Sequence, residues 1–317
     1  MNSREIAVKA LFEVEANGAY SDKALKKLLQ GCDCSQADRA FASELTYGVI
    51  RYKSRLDFIV QSYSSVKLKK LSVWIINILR CGVYQLFFLD KIPQSAAVNE
   101  CVKLAKRYGH DASARYVNAV LRAAAKGGEV KYTSIEAFYS HPKWLVDMLE
   151  IQYPEDYKKI LAANNTVAPV TVRVNTLKTT TEQLCKGFAE KGIETKADGN
   201  IIEVSKFGDI SALDEYKNGL FTPQDKGAYL AAFEVSPKEN ELVIDVCSAP
   251  GGKTTQLAEM SGDRAEIIAF DIHPHKIELI QKNAARLGIK SIKAHLHDAT
   301  RIHGDYVEKA DKVLADV

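Results

Sequence analysis

The spacing of apolar residues along this chain changes character twice. Over residues 1–128 apolar positions recur every three or four residues, the period of an amphipathic helix. Ile6, Ala10, Leu11 and Val14 predict a first helix, with Ser3 as its cap. Phe41, Leu45, Val49, Tyr52 and Leu56 predict one long second stretch opened by Ser35. Ser72 precedes an apolar segment that runs from Val73 through Tyr84 to Leu89. That segment is apolar nearly all round, which predicts the central helix of a bundle. Ile92-Pro93 breaks it, and two helices follow near 95–108 and 112–126, with Gly109 between them. Lys126-Gly-Gly128 closes this all-helical region.

Residues 129–235 mix periods and predict a small α+β region. His141-Pro-Lys-Trp144 precedes short helices, and Tyr153-Pro154 interrupts them. Pro169 to Val174 alternates as a strand, Thr179 to Gly192 reads as a helix, and strands follow near 194–197 and 201–205. Gly219-Leu-Phe-Thr-Pro-Gln-Asp225 leads into an apolar helix over 226–235. From 236 onward β/α alternation is strict: strands at 241–246, 265–270, 291–297 and 312–316, with helices at 252–260 and 274–287. This order predicts a parallel, doubly wound sheet with right-handed crossovers.

Composition narrows the class. Hydrophobic residues at 46% and charged residues at 26% suit a soluble globular chain of two or three domains. No apolar run reaches membrane-spanning length, and the N-terminus lacks a signal-peptide core, so a cytoplasmic protein is expected. Six scattered cysteines suit a reducing compartment, with Cys32-Asp-Cys34 read as a local turn rather than a metal site. The net charge of +3 is unevenly spread. Residues 1–130 carry 20 Lys and Arg against 12 Asp and Glu, which points to a polyanionic partner for the helical part.

The sharpest chemical signal is Asp245-Val-Cys-Ser-Ala-Pro-Gly-Gly-Lys-Thr-Thr255, a glycine turn between a strand and a helix start. Paired glycines let the backbone approach a ligand, and ligands of such sheets bind at the carboxyl ends of the strands. Each predicted strand carries an aspartate there: Asp245, Asp271, Asp298 and Asp316. Asp271 lies where a carboxylate can accept from both ribose hydroxyls of a nucleoside, and Asp298 where it can meet an adenine amino group or its loop. Gly252-Lys-Thr-Thr255 also resembles the tail of a phosphate-binding loop. That loop needs a glycine at Cys247, and Pro250 removes an amide the phosphates would use. S-adenosyl-L-methionine, with ribose hydroxyls, a cationic sulfonium and no phosphate, suits acidic strand ends better than a nucleoside triphosphate does.

The glycine-turn block resembles the cofactor motif of RNA cytosine-C5 methyltransferases. Arg173-Val-Asn-Thr-Leu-Lys178 and Gly219–Asp225 are similar to that family's blocks ahead of its catalytic domain. Residues 79–86, 92–100 and 116–122 resemble a NusB-type RNA-binding domain. The combination, over essentially the whole chain, resembles the bacterial 16S rRNA branch known as the RsmB, Sun or Fmu type. It implies a multidomain protein: a NusB-like helical domain (1–128), an α+β RNA-binding or linker region (129–235), and the first part of a Rossmann-like methyltransferase domain (236–317). It implies S-adenosyl-L-methionine as cofactor, 16S rRNA as partner, and a monomer without metal. The cofactor loop falls on Cys247, Ser248, Ala249, Pro250, Gly251, Gly252 and Lys253, the ribose acid on Asp271, the adenine-side acid on Asp298, and a fourth acid, Asp316, near the methionine end and target base. Ser248 stands where the family more often has Ala.

In that family a cysteine thiolate attacks carbon 6 of cytosine, which activates carbon 5 toward the methyl group. A base then removes the carbon-5 proton and the thiol leaves. The resemblance puts Pro-Cys after the fourth-strand acid, past Val317, and the nucleophile on the loop after the next strand. The chain stops at Val317, so it is expected to be a C-terminally truncated piece without a catalytic residue or methyltransferase activity, its fourth strand left as a raw edge. Cys247 reads as a small packing residue beneath the cofactor loop. Two other readings compete: a non-catalytic RNA-binding protein of the NusB antitermination type, and a P-loop ATPase. Candidate RNA contacts are Arg173 and Asn175, which read equally as structural supports, and Arg51, Arg80 and Arg122, with Lys53, Arg55, Lys103, Lys106, Arg107 and Arg115 beside them. Tyr52, Tyr108 and Tyr116 lie near these in sequence but read as helix-core residues.

Overall fold

A computed structural model describes residues 2–128 and 130–317. The chain divides into two compact units, residues 1–166 and 167–317.

The first unit is helical: α1 (Ser3–Asn17), α2 (Ser21–Gln30), α3 (Gln36–Arg51), α4 (Lys53–Tyr63), α5 (Val73–Phe88), α6 (Gln94–Tyr108), α7 (Asp111–Gly127), α8 (Ile135–Tyr139), α9 (Lys143–Gln152) and α10 (Tyr157–Asn164). The apolar segment predicted as central is α5, with Ile78, Leu79, Cys81 and Val83 fully buried. Ser72 caps it, its hydroxyl accepting from the Ile75 amide, and Ser35 caps α3 in the same way through Asp38.

The sequence reading departs from the structure at three helices. Asn2, not Ser3, caps α1, accepting from the Glu5 amide. The stretch from Phe41 to Leu56 is two helices, because the chain turns at Tyr52. α2 was not anticipated; its six polar or charged positions outweigh Leu25, which it buries on Ile6 and Ala10. Between α2 and α3, Cys32 and Cys34 form a disulfide where a reduced turn was expected. Arg39 donates to both cysteine carbonyls, and the Cα atoms stand 5.4 Å apart, within bridging range.

Residues 129–235, expected as one region, are shared between the units; the boundary drawn at 128/129 involves Glu129, which lies outside the described residues. The helices α8–α10 belong to the helical unit. Tyr132 and Phe138 cover the Arg55 guanidinium, and the Ser140 hydroxyl accepts from the Ser54 amide at the start of α4.

The second unit holds two sheets. The first contains β1 (Val170–Val174), β2 (Glu194–Asp198), β3 (Ile201–Ser205) and β4 (Phe221–Pro223), antiparallel in the order β2-β3-β1-β4. Along this stretch run α11 (Thr181–Glu190), α12 (Asp214–Lys217) and α13 (Lys226–Val235). Thr180 and Gln183 form a reciprocal capping box at α11. The second sheet is wholly parallel: β5 (Leu242–Asp245), β6 (Glu266–Asp271), β7 (Ile292–Leu296) and β8 (Lys312–Leu314), in the order β7-β6-β5-β8. Between its strands lie α14 (Gly252–Met260) and α15 (Pro274–Leu287), which ends at Gly288 in the left-handed region. The β/α alternation and its parallel sense follow the sequence expectation. β8 is an edge strand and Val313 on it is exposed.

Candidate functional site

The glycine turn sits between β5 and α14, at the carboxyl end of the parallel sheet. Three bonds fix its shape. The Ser248 hydroxyl donates to the Asp245 carbonyl at 2.7 Å, the Ser248 amide to Phe270 at 2.9 Å on the neighbouring strand, and the Gly251 amide to Ser248 at 2.7 Å. Gly251 has φ +100°, and a Cβ there would stand 3.3 Å from the Ile280 Cα on α15. Both facts require glycine. A Cβ on Gly252 would meet nothing within 4 Å. The turn is therefore packed behind and open in front.

Behind it lies a dense polar cluster. Arg173 on β1 is 2% exposed. It grips Glu259 of α14 with Nε at 2.8 Å and Nη2 at 2.9 Å. Its remaining donors reach the Gly252 carbonyl at 2.7 Å, the Thr255 hydroxyl at 3.0 Å and the Gln224 side-chain oxygen. All five guanidinium N–H groups are thus used inside the protein. Burial pushes the Glu259 carboxyl up, and the Arg173 charge opposes that shift. Asn175 is fully buried; it donates to the Gly219 and Leu287 carbonyls, each at 2.8 Å, and accepts from the Leu177 amide. Arg173 and Asn175 are therefore supports of the turn and of the β1–β4 junction, the structural one of their two readings, and their reading as RNA contacts is corrected.

In front lies a cavity of about 310 Å³, lined by Cys247, Ser248, Ala249, Pro250, Gly252, Lys253 and Asp316, together with Gln224, Asp225 and Asp245. The structure thus gathers six of the seven predicted loop residues and Asp316, while Gly251 turns toward α15. Asp271 and Asp298 stand outside that lining. Asp271 is 7% exposed, accepts from the His273 amide at 3.1 Å, and has Lys276 at 3.6 Å. Its charge reaches Cys247. Asp298 forms its own turn, accepting from the amide and hydroxyl of Thr300; those bonds hold its carboxyl below the usual range. Lys253 is ion-paired with Asp316, so its ammonium already has a partner.

Asp245, expected as a strand-end acid, is buried, accepts from the Thr254 hydroxyl at 2.7 Å, and burial raises its carboxyl pKa. One feature was missed. Gln224 and Asp225 enter the lining from β4 and the start of α13. The only signal in the sequence was the block at 219–225, which carried no indication that it folds back onto residues 245–253. Cys247 is exposed in the cavity wall, which corrects its reading as a packing residue: it is the first side chain of the turn, beyond the end of β5. Partial loss of water around the sulfur in the cavity wall, and the nearby Asp245 and Asp271 carboxylates, push its thiol pKa up.

In the helical unit, the other proposed RNA residues separate by partner. Arg80 is buried, forked onto Asp57 at 2.7 and 2.9 Å and bonded to Glu15 at 2.6 Å, so it is corrected to a bundle residue. Lys53, Lys103, Lys106 and Arg107 have acidic partners. Arg55 lies over Phe88, Tyr132 and Phe138. Tyr52 and Tyr108 pack on Phe88 and Trp74 as core residues. Arg51, Arg115 and Arg122 have no acidic partner among the described residues, and the latter two are exposed.

The chain matches the NusB family over residues 1–126, a ferredoxin-like domain of RsmF/B-type methyltransferases over 141–205, and the 16S rRNA methyltransferase RsmB/F family over 232–317. It is 33% identical to a probable ribosomal RNA small subunit methyltransferase B of Bacillus subtilis, over 99% of this chain and 72% of that protein. A relative of the same name from Synechocystis is 32% identical over 100% of this chain and 74% of its own length. The crystal structure of PH0851 shares the fold with TM-score 0.76 and 22% identity, over 99% of this chain and 73% of that one.

Proposed function

The chain belongs to the ribosomal RNA small subunit methyltransferase B family, and from that premise we propose that its second unit binds S-adenosyl-L-methionine at the glycine turn and serves methylation of carbon 5 of a cytosine in 16S rRNA. The observation that carries the reading is the open front of the turn, with acidic groups at the ends of β5 and β6 and beyond β8. The residues fit the group. Gly252 leaves room above the turn, and the first-turn amides of α14 have no acceptor within the helix. The Asp271 carboxylate, held at the end of β6, is the acceptor for ribose hydroxyls. Asp298 holds the loop on the adenine side, and Asp316, paired with Lys253, places negative charge at the methionine end. When bound, the cofactor supplies an electrophilic methyl group.

The chain's own cysteines do not supply the attack on cytosine carbon 6. Cys81 and Cys101 are buried in the bundle, with Cys101 pushed up to about 12 by that burial. Cys32 and Cys34 are bridged, Cys185 packs against the core of the β1–β4 sheet, and the thiol of Cys247, in the cofactor wall, is pushed toward its protonated form. The 317-residue chain by itself therefore binds cofactor without completing the reaction.

Unmodified 16S rRNA incubated with the chain and methyl-labelled S-adenosyl-L-methionine, beside a melting assay with S-adenosylhomocysteine, tests this. Stabilisation by S-adenosylhomocysteine with no 5-methylcytidine formed is the expected result. An absence of stabilisation, or label on another base position, would overturn it.

A further inference from the structure

Arg115, Arg122 and Lys126 lie on α7 at spacings of seven and four residues. Seven and eleven residues along an α-helix return to within about 20° of the starting direction, so the three form one straight stripe. All three are exposed. None has an acidic partner among the described residues, although most other cations proposed for this unit are paired. Arg122 spends only its Nε, on Asn118 at 2.9 Å. The one acid on α7, Asp111, is engaged by Lys106. Near the Arg115 end, the Tyr116 hydroxyl meets Ser64 at 2.5 Å and ties to α7 the loop that carries exposed Lys67, Lys69 and Lys70.

Beside the stripe, between α6 and α7, is an open cavity of about 240 Å³ lined by Gln94, Ser95, Asn99, Arg122 and Lys126, with Val98 and Ala125 as its apolar floor. Gln94, Ser95 and Asn99 are exposed and bond to no other side chain among the described residues. Two amides and a hydroxyl offer both donors and acceptors, the equipment that reads the edge of an unstacked base. The two cations at its rim suit the flanking phosphates.

We propose that this face of the helical unit is a docking track for single-stranded RNA. Phosphates lie along Arg115, Arg122 and Lys126, and one base sits in the notch between α6 and α7. The proposal rests on the family reading for its RNA partner, and replaces buried Arg80 with these unpaired cations. A segment held here is positioned by charge, and the notch adds local preference.

The test is binding of a short fluorescein-labelled single-stranded RNA to the whole chain across a salt series. The triple variant Arg115→Gln/Arg122→Gln/Lys126→Gln is expected to reduce the slope of log affinity against log salt by about 2, from about 0.7 per lost phosphate contact. Neutralising Lys103 and Lys106, which are already paired, is expected to leave the slope unchanged. Asn99→Ala with Gln94→Ala is expected to weaken binding severalfold at constant slope. A wild-type slope in the triple variant would overturn the proposal. So would polyglutamate competing as well as unlabelled RNA of equal charge, since that marks an acidic-protein surface. RNA binding absent from the wild-type chain would remove this track, while S-adenosylhomocysteine binding by the same protein would leave the cofactor reading standing.

Discussion

The two sides of the glycine turn are built from the same residue types and do opposite work. Behind it, Arg173, Glu259, Gln224 and Thr255 satisfy one another. In front, the cavity wall is left open, and Asp271, at the end of β6 outside that lining, has one backbone amide and a lysine 3.6 Å away as side-chain partners among the described residues. A buried polar group with every bond made holds structure, because removing one partner strands the rest. A carboxylate with acceptor capacity left over, at the carboxyl end of a parallel strand, is available to a ligand. Charge alone does not separate the two roles; the count of partners does.

The largest effect expected from this contrast is on the back. Arg173→Ala leaves Glu259 buried without its counter-charge and should cost about 3–5 kcal/mol in denaturant unfolding. Arg173→Lys keeps the charge but loses the fork, so most of the loss should remain. Melting unchanged by Arg173→Ala would remove the distinction between the two sides. On the front, Asp271→Ala should leave unfolding near wild type and weaken S-adenosylhomocysteine by about 1.5–3 kcal/mol, the worth of hydrogen bonds to a charged group, read by titration calorimetry. Between them, Gly251→Ala forces a side chain into φ +100° against Ile280. It should destabilise by about 1–2 kcal/mol and also weaken the ligand. The smallest effect is at Cys247. Its raised thiol pKa keeps it protonated at neutral pH, so its alkylation should still be accelerating above the ordinary thiol range rather than levelling off near about 8.5. S-adenosylhomocysteine should slow that reaction. Rapid alkylation of Cys247 at pH 7, followed by peptide mass spectrometry, would contradict it.

Elements were legible where one local pattern sufficed. An all-round apolar run marked α5, the 3.6-residue period marked α1, Ser72 and Ser35 marked helix starts, and strict alternation marked the parallel sheet. α2 was not, because its lysines mask a short apolar stripe that only Ile6 and Ala42 complete. The loop residues from Cys247 to Lys253 were legible as a block, since a glycine turn is a local object. Arg80 and Arg173 were misread. Their acidic partners stand 23 and 86 residues away; for Arg80 the apolar segment around it was itself a signal of burial, whereas nothing near Arg173 gave one. The place of Gln224 and Asp225 in the cavity wall was hidden in the same way, by a contact between segments that the sequence does not align.

The most direct test of the account is calorimetric titration of S-adenosylhomocysteine into the wild-type chain, Asp271→Ala and Arg173→Lys, each paired with its unfolding curve. The account predicts that Asp271→Ala loses affinity and keeps stability, while Arg173→Lys loses stability first. If Asp271→Ala binds as tightly as wild type, or unfolds as readily as Arg173→Lys, the division between a supporting back and a binding front is wrong.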